Sequence, residues 1–169
     1  MTTSTNDFAL RVERFKATAK ESGVKLTHQR LEIFREVAAR VDHPDAETVF
    51  RAVRKKMQTV SLDTVYRTLW MLSDLGLITT LGARRENVRF DANLEHHHHY
   101  ICVHCGLTRD FKSSDLDALQ VPAAARGFGS ILGAHVEIRG ICGKCANGST
   151  VKSRKRDPGK PRRNRRKKA

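Results

Sequence analysis

Apolar residues recur at helical spacing along the N-terminal half of the chain, and polar positions flank each apolar stripe. The pattern predicts four amphipathic helices, over residues 7–22, 29–40, 45–57 and 61–76. Thr27 and Asp45 stand where they can cap the second and third helices, and Gly23 and Gly76 end the first and fourth. The positions predicted to face a shared core are Phe8, Val12, Phe15, Ala19, Leu31, Phe34, Val37, Ala38, Val49, Phe50, Val53, Leu62, Val65, Leu69, Leu72 and Leu75.

Beyond residue 76 the apolar residues occur in short or alternating runs, which predicts strands. The predicted strands cover residues 77–81, 88–90, 100–103, 107–111 and 131–141. A basic tip at 82–87 joins the first two strands into a hairpin. A further helix is predicted near Ser113 or Ser114, and Pro122 interrupts it or begins its second piece.

The order of these elements predicts an α+β chain. Three helices followed by a basic hairpin are typical of a winged helix-turn-helix domain, which would occupy residues 1–88. A hinge at 89–92 would lead to a small α/β domain at 93–149 with an antiparallel sheet. A basic tail would follow at 150–169.

A winged helix of this kind places its last helix in the major groove of DNA. Thr64, Tyr66 and Arg67 lie off the leucine face of the fourth predicted helix, and Arg67 can donate two hydrogen bonds to guanine. Arg84 and Arg85 at the hairpin tip would reach phosphate or the minor groove. The alternative is that this charged helix face is only solvated.

The net charge of +14 is concentrated at the C-terminal end. Residues 152–169 contain eleven Lys and Arg residues and one Asp, together with two prolines and almost no apolar residues. Such a segment cannot bury enough surface to fold, so we expect a disordered tail that attracts polyanions. It would act as a sequence-independent phosphate anchor or only as a solubilising segment. The sequence shows no secretory signal and no apolar run of membrane-spanning length, which favours a cytoplasmic location.

Four consecutive histidines, His96 to His99, precede an apolar strand. Side chains alternate along a strand, so His97 and His99 face one side while His96 and His98 face the other. Two imidazoles on one face can share a metal ion. A histidine run also resembles a purification tag, but this run is internal and continues directly into the strand.

Two C-x2-C pairs, Cys102 with Cys105 and Cys142 with Cys145, are separated by 36 residues. Paired units of this kind predict a four-cysteine structural zinc site, formed by two elements that the sheet brings together. Two redox dithiols are the alternative. In a reducing compartment, metal ligands are favoured over disulfides.

Several motifs together resemble the ferric uptake regulator (Fur) superfamily over residues 24–145. These are Leu26-Thr27-His28-Gln29-Arg30, His43-Pro44-Asp45-Ala46, the 61–69 segment SLDTVYRTL, Arg89-Phe90-Asp91, the histidine run and both cysteine pairs. The resemblance implies a transcriptional repressor that is a homodimer on inverted-repeat double-stranded DNA, with a C-terminal dimerisation domain. It implies no enzymatic activity, no membrane association and no small-molecule ligand other than a peroxide signal.

The chain is most similar to the peroxide-sensing branch, PerR with the actinobacterial FurA and CatR proteins. That similarity implies a regulatory Fe(II) or Mn(II) site formed by five side chains, namely His43, Asp91, His97, His99 and Asp110. It also implies that His43 and His97 are the rings oxidised by peroxide. Iron-sensing members typically have Glu where Asp110 stands, which favours the peroxide sensor.

Three further hypotheses accompany this interpretation. His96, His98, Asp117 and His135 could form the additional metal site of some Fur proteins, although His135 lies one residue out of register. The same scaffold could instead sense iron availability. The chain could also be a zinc-ribbon nucleic-acid-binding module or a metalloenzyme, but no separate nucleophile or base is evident.

Overall fold

The computed structural model describes residues 4–81, 88–131 and 133–148, and the described part begins with four helices. Their bounds are Thr5–Glu21 (α1), His28–Ala38 (α2), Ala46–Lys56 (α3) and Leu62–Asp74 (α4). All four predicted helices are confirmed, with ends that differ by one or two residues.

A polar side chain starts each of these helices by accepting a hydrogen bond from a backbone N–H group of the first turn. The capping residues are Ser4, Thr27, Asp45 and Ser61. A cap of this type stabilises a helix by about 1 kcal/mol. The cap at Ser4 explains why α1 begins two residues earlier than the sequence pattern predicts.

The apolar faces of α1 to α4 form the core of the N-terminal domain. Phe15 and Phe34 are fully buried at its centre, with ring centroids 4.8 Å apart. Most of the predicted core positions are buried as expected, whereas Phe8, Leu31, Phe50, Leu62 and Leu75 are only partly buried. The helical stripe therefore identified the core face correctly, and these five side chains lie towards its edge.

The hairpin that follows contains strands β1 (Thr79–Leu81) and β2 (Arg89–Asp91), paired antiparallel with Thr79 opposite Asp91. Its tip at 82–87, with Arg84 and Arg85, lies outside the described residues. The backbone N–H of Phe90 donates to the carbonyl of Pro44 at 3.0 Å. This bond attaches β2 to the segment between α2 and α3.

The second domain contains β3 (His98–Cys102), β4 (Thr108–Phe111) and β5 (Glu137–Gly140) in the order β4-β3-β5. Three short helices accompany the sheet: α5 (Ser114–Asp117), α6 (Ala123–Arg126) and α7 (Gly143–Ala146). Pro122 stands at the start of α6, so it begins a second helical piece. The predicted tail at 150–169 falls outside the described residues.

The sheet is mixed. β3 pairs antiparallel with β4, as predicted, but β3 pairs parallel with β5. The long connection through α5 and α6 returns the chain to the starting end of the sheet before β5 begins, which makes that pairing parallel. The predicted strand at 131–141 is also too long, because residues 133–136 have no regular structure and β5 starts at Glu137.

No helix in the described ranges is both long enough and apolar enough to cross a membrane.

Candidate metal centre

His43 lies in the short link between α2 and α3, in a backbone conformation that few side chains adopt. Its φ angle of +50° is in the left-handed region, which is uncommon for residues other than glycine. Arg40 and Asp42 form a two-bond ion pair on one side of the link, and Asp45 caps α3 on the other. The link is therefore held at both ends, and the His43 side chain is directed inward, where the residue is only 2% exposed.

The other four ligand candidates come from β2, β3 and β4. Asp91 is the last residue of β2, His97 immediately precedes β3, and His99 lies on β3. The antiparallel register places Asp110 on β4 directly opposite His99. The structure thus brings all five predicted side chains together at the junction of the two domains, with one ligand atom from each within 4.8 Å of the others.

The ligand atoms converge on a common centre. His43 Nε2 and Asp110 Oδ1 are 2.8 Å apart, yet both are buried atoms for which the described residues provide no hydrogen-bond partner. His97 Nε2 lies 3.0 Å from Asp91 Oδ2 and 2.9 Å from His99 Nε2. Leaving buried polar atoms without partners is costly, so this arrangement fits a cation at the centre.

Residues outside the ligand set orient the ligands. The backbone N–H of Asn93 donates to Asp91 Oδ1 at 2.7 Å, and its side-chain amide donates to Asp110 Oδ2 at 3.4 Å. Each carboxylate therefore keeps its other oxygen for the centre. His97 Nδ1 lies 2.6 Å from the Glu95 carbonyl, so this nitrogen carries the proton and Nε2 is left as the ligand atom. The motif pattern did not identify Asn93 or Glu95.

The charges of the site are strongly coupled. Burial disfavours the charged form of His43, but the carboxylates of Asp110 and Asp91 outweigh it and raise the pKa of His43 to about 9. Burial likewise opposes ionisation of Asp91, yet the nearby rings of His43, His97 and His99 lower its pKa far below the usual range. The hydrogen bond to Asp91 raises the pKa of His97. The protonated His43 ring and the ionised Asp91 carboxylate therefore favour each other's charged form.

Three imidazoles and two carboxylates form a ligand set of intermediate hardness, which suits Fe(II), Mn(II) or Zn(II). The orphaned atoms His43 Nε2 and Asp110 Oδ1 show that these residues fit such an ion. Five protein ligands leave one position open on a six-coordinate ion.

The four cysteines form a second cluster, close to the far end of β3. Cys102 is buried at the end of β3, Cys105 follows a tight turn, and Cys142 and Cys145 lie around α7. The Cys105 and Cys142 sulfurs are 3.7 Å apart, and the Cys142 N–H donates to Cys102 Sγ at 3.3 Å. Backbone N–H groups of Cys142 and Cys105 lower the pKa of Cys102 to about 6. Four free thiols grouped in this way fit a closed tetrahedral zinc site.

The third predicted cluster is only partly assembled. Asp117 Oδ1 lies 2.9 Å from His96 Nε2 and 3.1 Å from His98 Nε2. His135 is absent from this described group, and its ring instead packs edge-on against His99 with centroids 5.6 Å apart. His98 Nδ1 accepts a hydrogen bond from the Val136 N–H at 3.2 Å, which places the proton of a neutral ring on Nε2. A metal ligand atom at Nε2 would require a different tautomer.

The predicted DNA-contact residues of α4 lie at the surface. Arg67 is 81% exposed and forms an ion pair with Asp63 at 2.9 Å, one helical turn away. Tyr66 is exposed, and the hydroxyl of Thr64 lies 2.8 Å from that of Ser61. These side chains are accessible to a partner, and the ion pair holds the Arg67 side chain along the helix.

Comparison with known proteins gives a consistent result. A sequence model of the Ferric uptake regulator family matches residues 21–138. The chain is 31% identical over 134 residues to the peroxide-responsive repressor PerR of Staphylococcus epidermidis, covering 79% of this chain and 89% of that protein.

Two solved structures extend the comparison to the fold. The Helicobacter pylori ferric uptake regulator Fur, described as having three functional metal binding sites, is similar with a TM-score of 0.68 and 25% identity, over 82% of this chain and 93% of that one. A zinc-bound manganese uptake regulator has a TM-score of 0.59 and 32% identity, over 75% of this chain and 97% of that one.

Proposed function

We propose that this chain, which belongs to the ferric uptake regulator family, represses transcription until hydrogen peroxide inactivates it. As a member of that family, the chain is a metal-dependent transcriptional regulator and not an enzyme. The observation that carries the proposal is the five-ligand site. It joins His43, from the helical domain, to His97, His99 and Asp110 of the sheet domain. An ion bound to ligands from both domains favours one domain orientation over others.

Operator binding follows from that orientation. We propose a homodimer that presents two copies of α4, with Thr64, Tyr66 and Arg67, to the two halves of an inverted-repeat duplex. The exposed Ile138 and Ile141, on and just after the edge strand β5, support a second copy as the partner, since exposed apolar side chains beside a strand edge favour pairing. The wing residues Arg84 and Arg85 would add phosphate or minor-groove contacts.

Each cluster is assigned a metal by its ligand chemistry. Zn(II) at the four cysteines would hold the end of β3 to α7 and stabilise the domain. Fe(II) or Mn(II) at the five-ligand site would set the domain orientation. A cytoplasmic location fits both the reduced thiols and the DNA target.

Fe(II), if held by the five-ligand site, would activate hydrogen peroxide beside the ligand rings, and the peroxide itself would be the oxidant of the ring. The protein's contribution is position, because His43 and His97 are buried and their Nε2 atoms border the centre. In the overall reaction, one peroxide oxygen enters a ring C–H bond of a histidine and the other leaves as water. The oxidised ring is a poorer ligand, so metal affinity and DNA affinity fall together.

The proposal is tested by peptide mass spectrometry after a brief, low dose of hydrogen peroxide, with duplex binding followed in parallel. We expect one added oxygen on His43 or His97 in the Fe(II)-loaded protein, together with loss of DNA binding. The Mn(II)-loaded protein should keep both histidines intact and stay bound. The control variant His28→Gln removes a histidine outside the clusters and should behave as wild type.

The second candidate function is an iron-availability repressor, which the structural similarity to the Helicobacter pylori ferric uptake regulator supports. Intact histidines after peroxide, in a protein that still releases DNA when Fe(II) is chelated, would favour this function over peroxide sensing. Binding to single-stranded nucleic acid independent of added metal would instead favour a zinc-ribbon nucleic-acid-binding module.

A further inference from the structure

Arg89 is not a metal ligand, yet its side chain reaches from β2 to the link that contains His43. Its Nη1 atom donates to the carbonyl oxygen of His43 at 3.0 Å and lies 3.5 Å from the carbonyl oxygen of Asp42. Arg89 is also two residues before the ligand Asp91 on the same strand. The Arg89 side chain therefore connects the link that contains His43 to the strand that contains Asp91.

The contact acts on a backbone conformation that needs support. A non-glycine residue at φ +50° persists where its surroundings hold it, and His43 is such a residue. Its carbonyl oxygen accepts the bond from the charged guanidinium, a stronger donor than a neutral group. The bond from the Phe90 N–H to the Pro44 carbonyl holds the following peptide. Together these bonds fix the orientation from which the His43 ring enters the site.

The other side of the same guanidinium lies against the first cysteine pair. A Cβ atom placed on Gly106 would be 2.8 Å from Arg89 Nη2, so a larger residue there would require the end of the Arg89 side chain to shift. Gly106 follows Cys105 directly and has a φ of +70°. Its N–H donates to the carbonyl of Cys102 at 2.8 Å, within the turn that joins the two cysteines. Arg89 is thus located between the turn of the four-cysteine cluster and the His43 link.

We propose that Arg89 is a positioning residue that couples the four-cysteine cluster to the five-ligand site, so that the position of the Cys102–Cys105 turn affects the metal affinity of the regulatory site. The inference rests on the proposed function, because it requires that the five-ligand site bind a regulatory ion. The cysteine cluster then has a role beyond holding its own domain together.

The test measures Mn(II) binding to the zinc-loaded full chain, by the electron paramagnetic resonance signal of free Mn(II). Arg89→Ala should lower Mn(II) affinity by roughly ten- to a hundredfold, the range for loss of a residue that orients metal ligands. Arg109→Ala removes an exposed arginine of the adjacent sheet and should bind as wild type. Zinc content and the unfolding midpoint without Mn(II) should stay close to wild type in both variants.

The coupling itself is tested with Gly106→Ala in two backgrounds. Alanine at a φ of +70° is strained in both backgrounds, but only in the wild-type background does its methyl group also displace the guanidinium. The loss of Mn(II) affinity should therefore be larger in the wild-type background than in the Arg89→Ala background. If Arg89→Ala does not fold, Arg89→Lys serves the same comparison, since lysine can reach one contact and not both.

Three outcomes would overturn the inference. In the first, Arg89→Ala binds Mn(II) as tightly as the wild-type protein. In the second, Arg89→Ala loses zinc and thermal stability to the same extent as it loses Mn(II) affinity. In the third, Gly106→Ala lowers Mn(II) affinity by the same factor in both backgrounds. Each of these leaves the proposed function intact if His99→Ala still abolishes Mn(II) binding. A wild-type protein that takes up no Mn(II) would reject both the inference and the proposed function.

Discussion

Asn93 shows how one residue outside the ligand set can decide which atoms face a metal. Its backbone and side-chain N–H groups occupy one oxygen of Asp91 and one oxygen of Asp110. Both carboxylates are thereby turned so that each presents a single oxygen to the centre. No motif or periodicity marks Asn93, because its role depends on two carboxylates that the fold brings to either side of it.

With His43 as a ligand, we expect metal binding to depend on pH. The pKa of His43 is raised from 6.5 to about 9 in the metal-free protein. Protonated His43 therefore stabilises the folded state fully below pH 6.5, and this stabilisation is lost as the pH rises through about 9. A metal ion requires the neutral ring, so binding must release a proton at neutral pH. Mn(II) affinity should therefore rise with pH between about 7 and 9, by up to about tenfold per pH unit for each proton released.

Calorimetric titration with Mn(II) at several pH values, in buffers of different ionisation enthalpy, measures both the affinity and the protons released. The variant His43→Gln should bind more weakly and show a flatter pH profile, while His28→Gln should keep the wild-type profile. An affinity that is constant over this pH range would contradict the assignment of His43 as a ligand.

Among the elements, β3 separates two sets of histidines by simple alternation. His97 and His99 face the five-ligand site, and His96 and His98 face Asp117 of α5, as the sequence predicts. The structure adds that the His98 ring accepts a bond from Val136, which opposes metal binding at its Nε2 atom. His135, one residue out of register with the additional site, packs against His99 instead.

We therefore expect the group of His96, His98 and Asp117 to bind metal more weakly than the five-ligand site. Asp117→Asn should leave the number of tightly bound ions per protomer unchanged, and it should lower the free energy of unfolding by about 1 kcal/mol through lost polar contacts to β3. Elemental analysis after gel filtration measures the first quantity, and urea denaturation of the metal-loaded protein measures the second. Loss of one tightly bound ion would show instead that the group is a true third site.

At the scale of the whole molecule, the five-ligand site lies where the helical domain meets the sheet domain. His43 is attached to α2 and α3, whereas His97, His99 and Asp110 belong to the sheet domain. Under the proposed function, loss of a single ligand bond would change the position of α4 relative to the second copy of the chain, and not only the local site. Under the proposed function, this geometry would allow a small chemical change on one ring to release DNA.

We expect the basic tail to contribute to DNA binding in a different way. Residues 152–169 carry a net charge of +10 and no pattern that could read bases. Deleting them should weaken binding to all duplexes by a similar factor and reduce the dependence of affinity on salt concentration, because fewer counterions are released. Binding of the full chain and the truncated chain to an operator and to a scrambled duplex, over a series of salt concentrations, measures this. A loss confined to the operator would contradict a sequence-independent role.

Properties that depend on neighbouring residues could be predicted from the sequence. Helical spacing identified α1 to α4 and their core faces, alternation divided the histidines, and the C-x2-C spacing identified the cysteine cluster. These patterns follow from the geometry of a single helix, strand or turn, so no knowledge of packing is needed. The resemblance to a known family added the five ligand positions, which the local patterns do not contain.

Tertiary structure alone decided what depends on distant segments. It brought His43 to Asp91 and Asp110, placed Asn93 and Arg89 beside the ligands, and made β5 parallel to β3. It also shortened the predicted strand at 131–141 and packed the His135 ring against His99. Each of these results depends on how the two domains and the long connection between β4 and β5 pack against one another. That packing is determined by all of the buried contacts together, and no single stretch of sequence contains it.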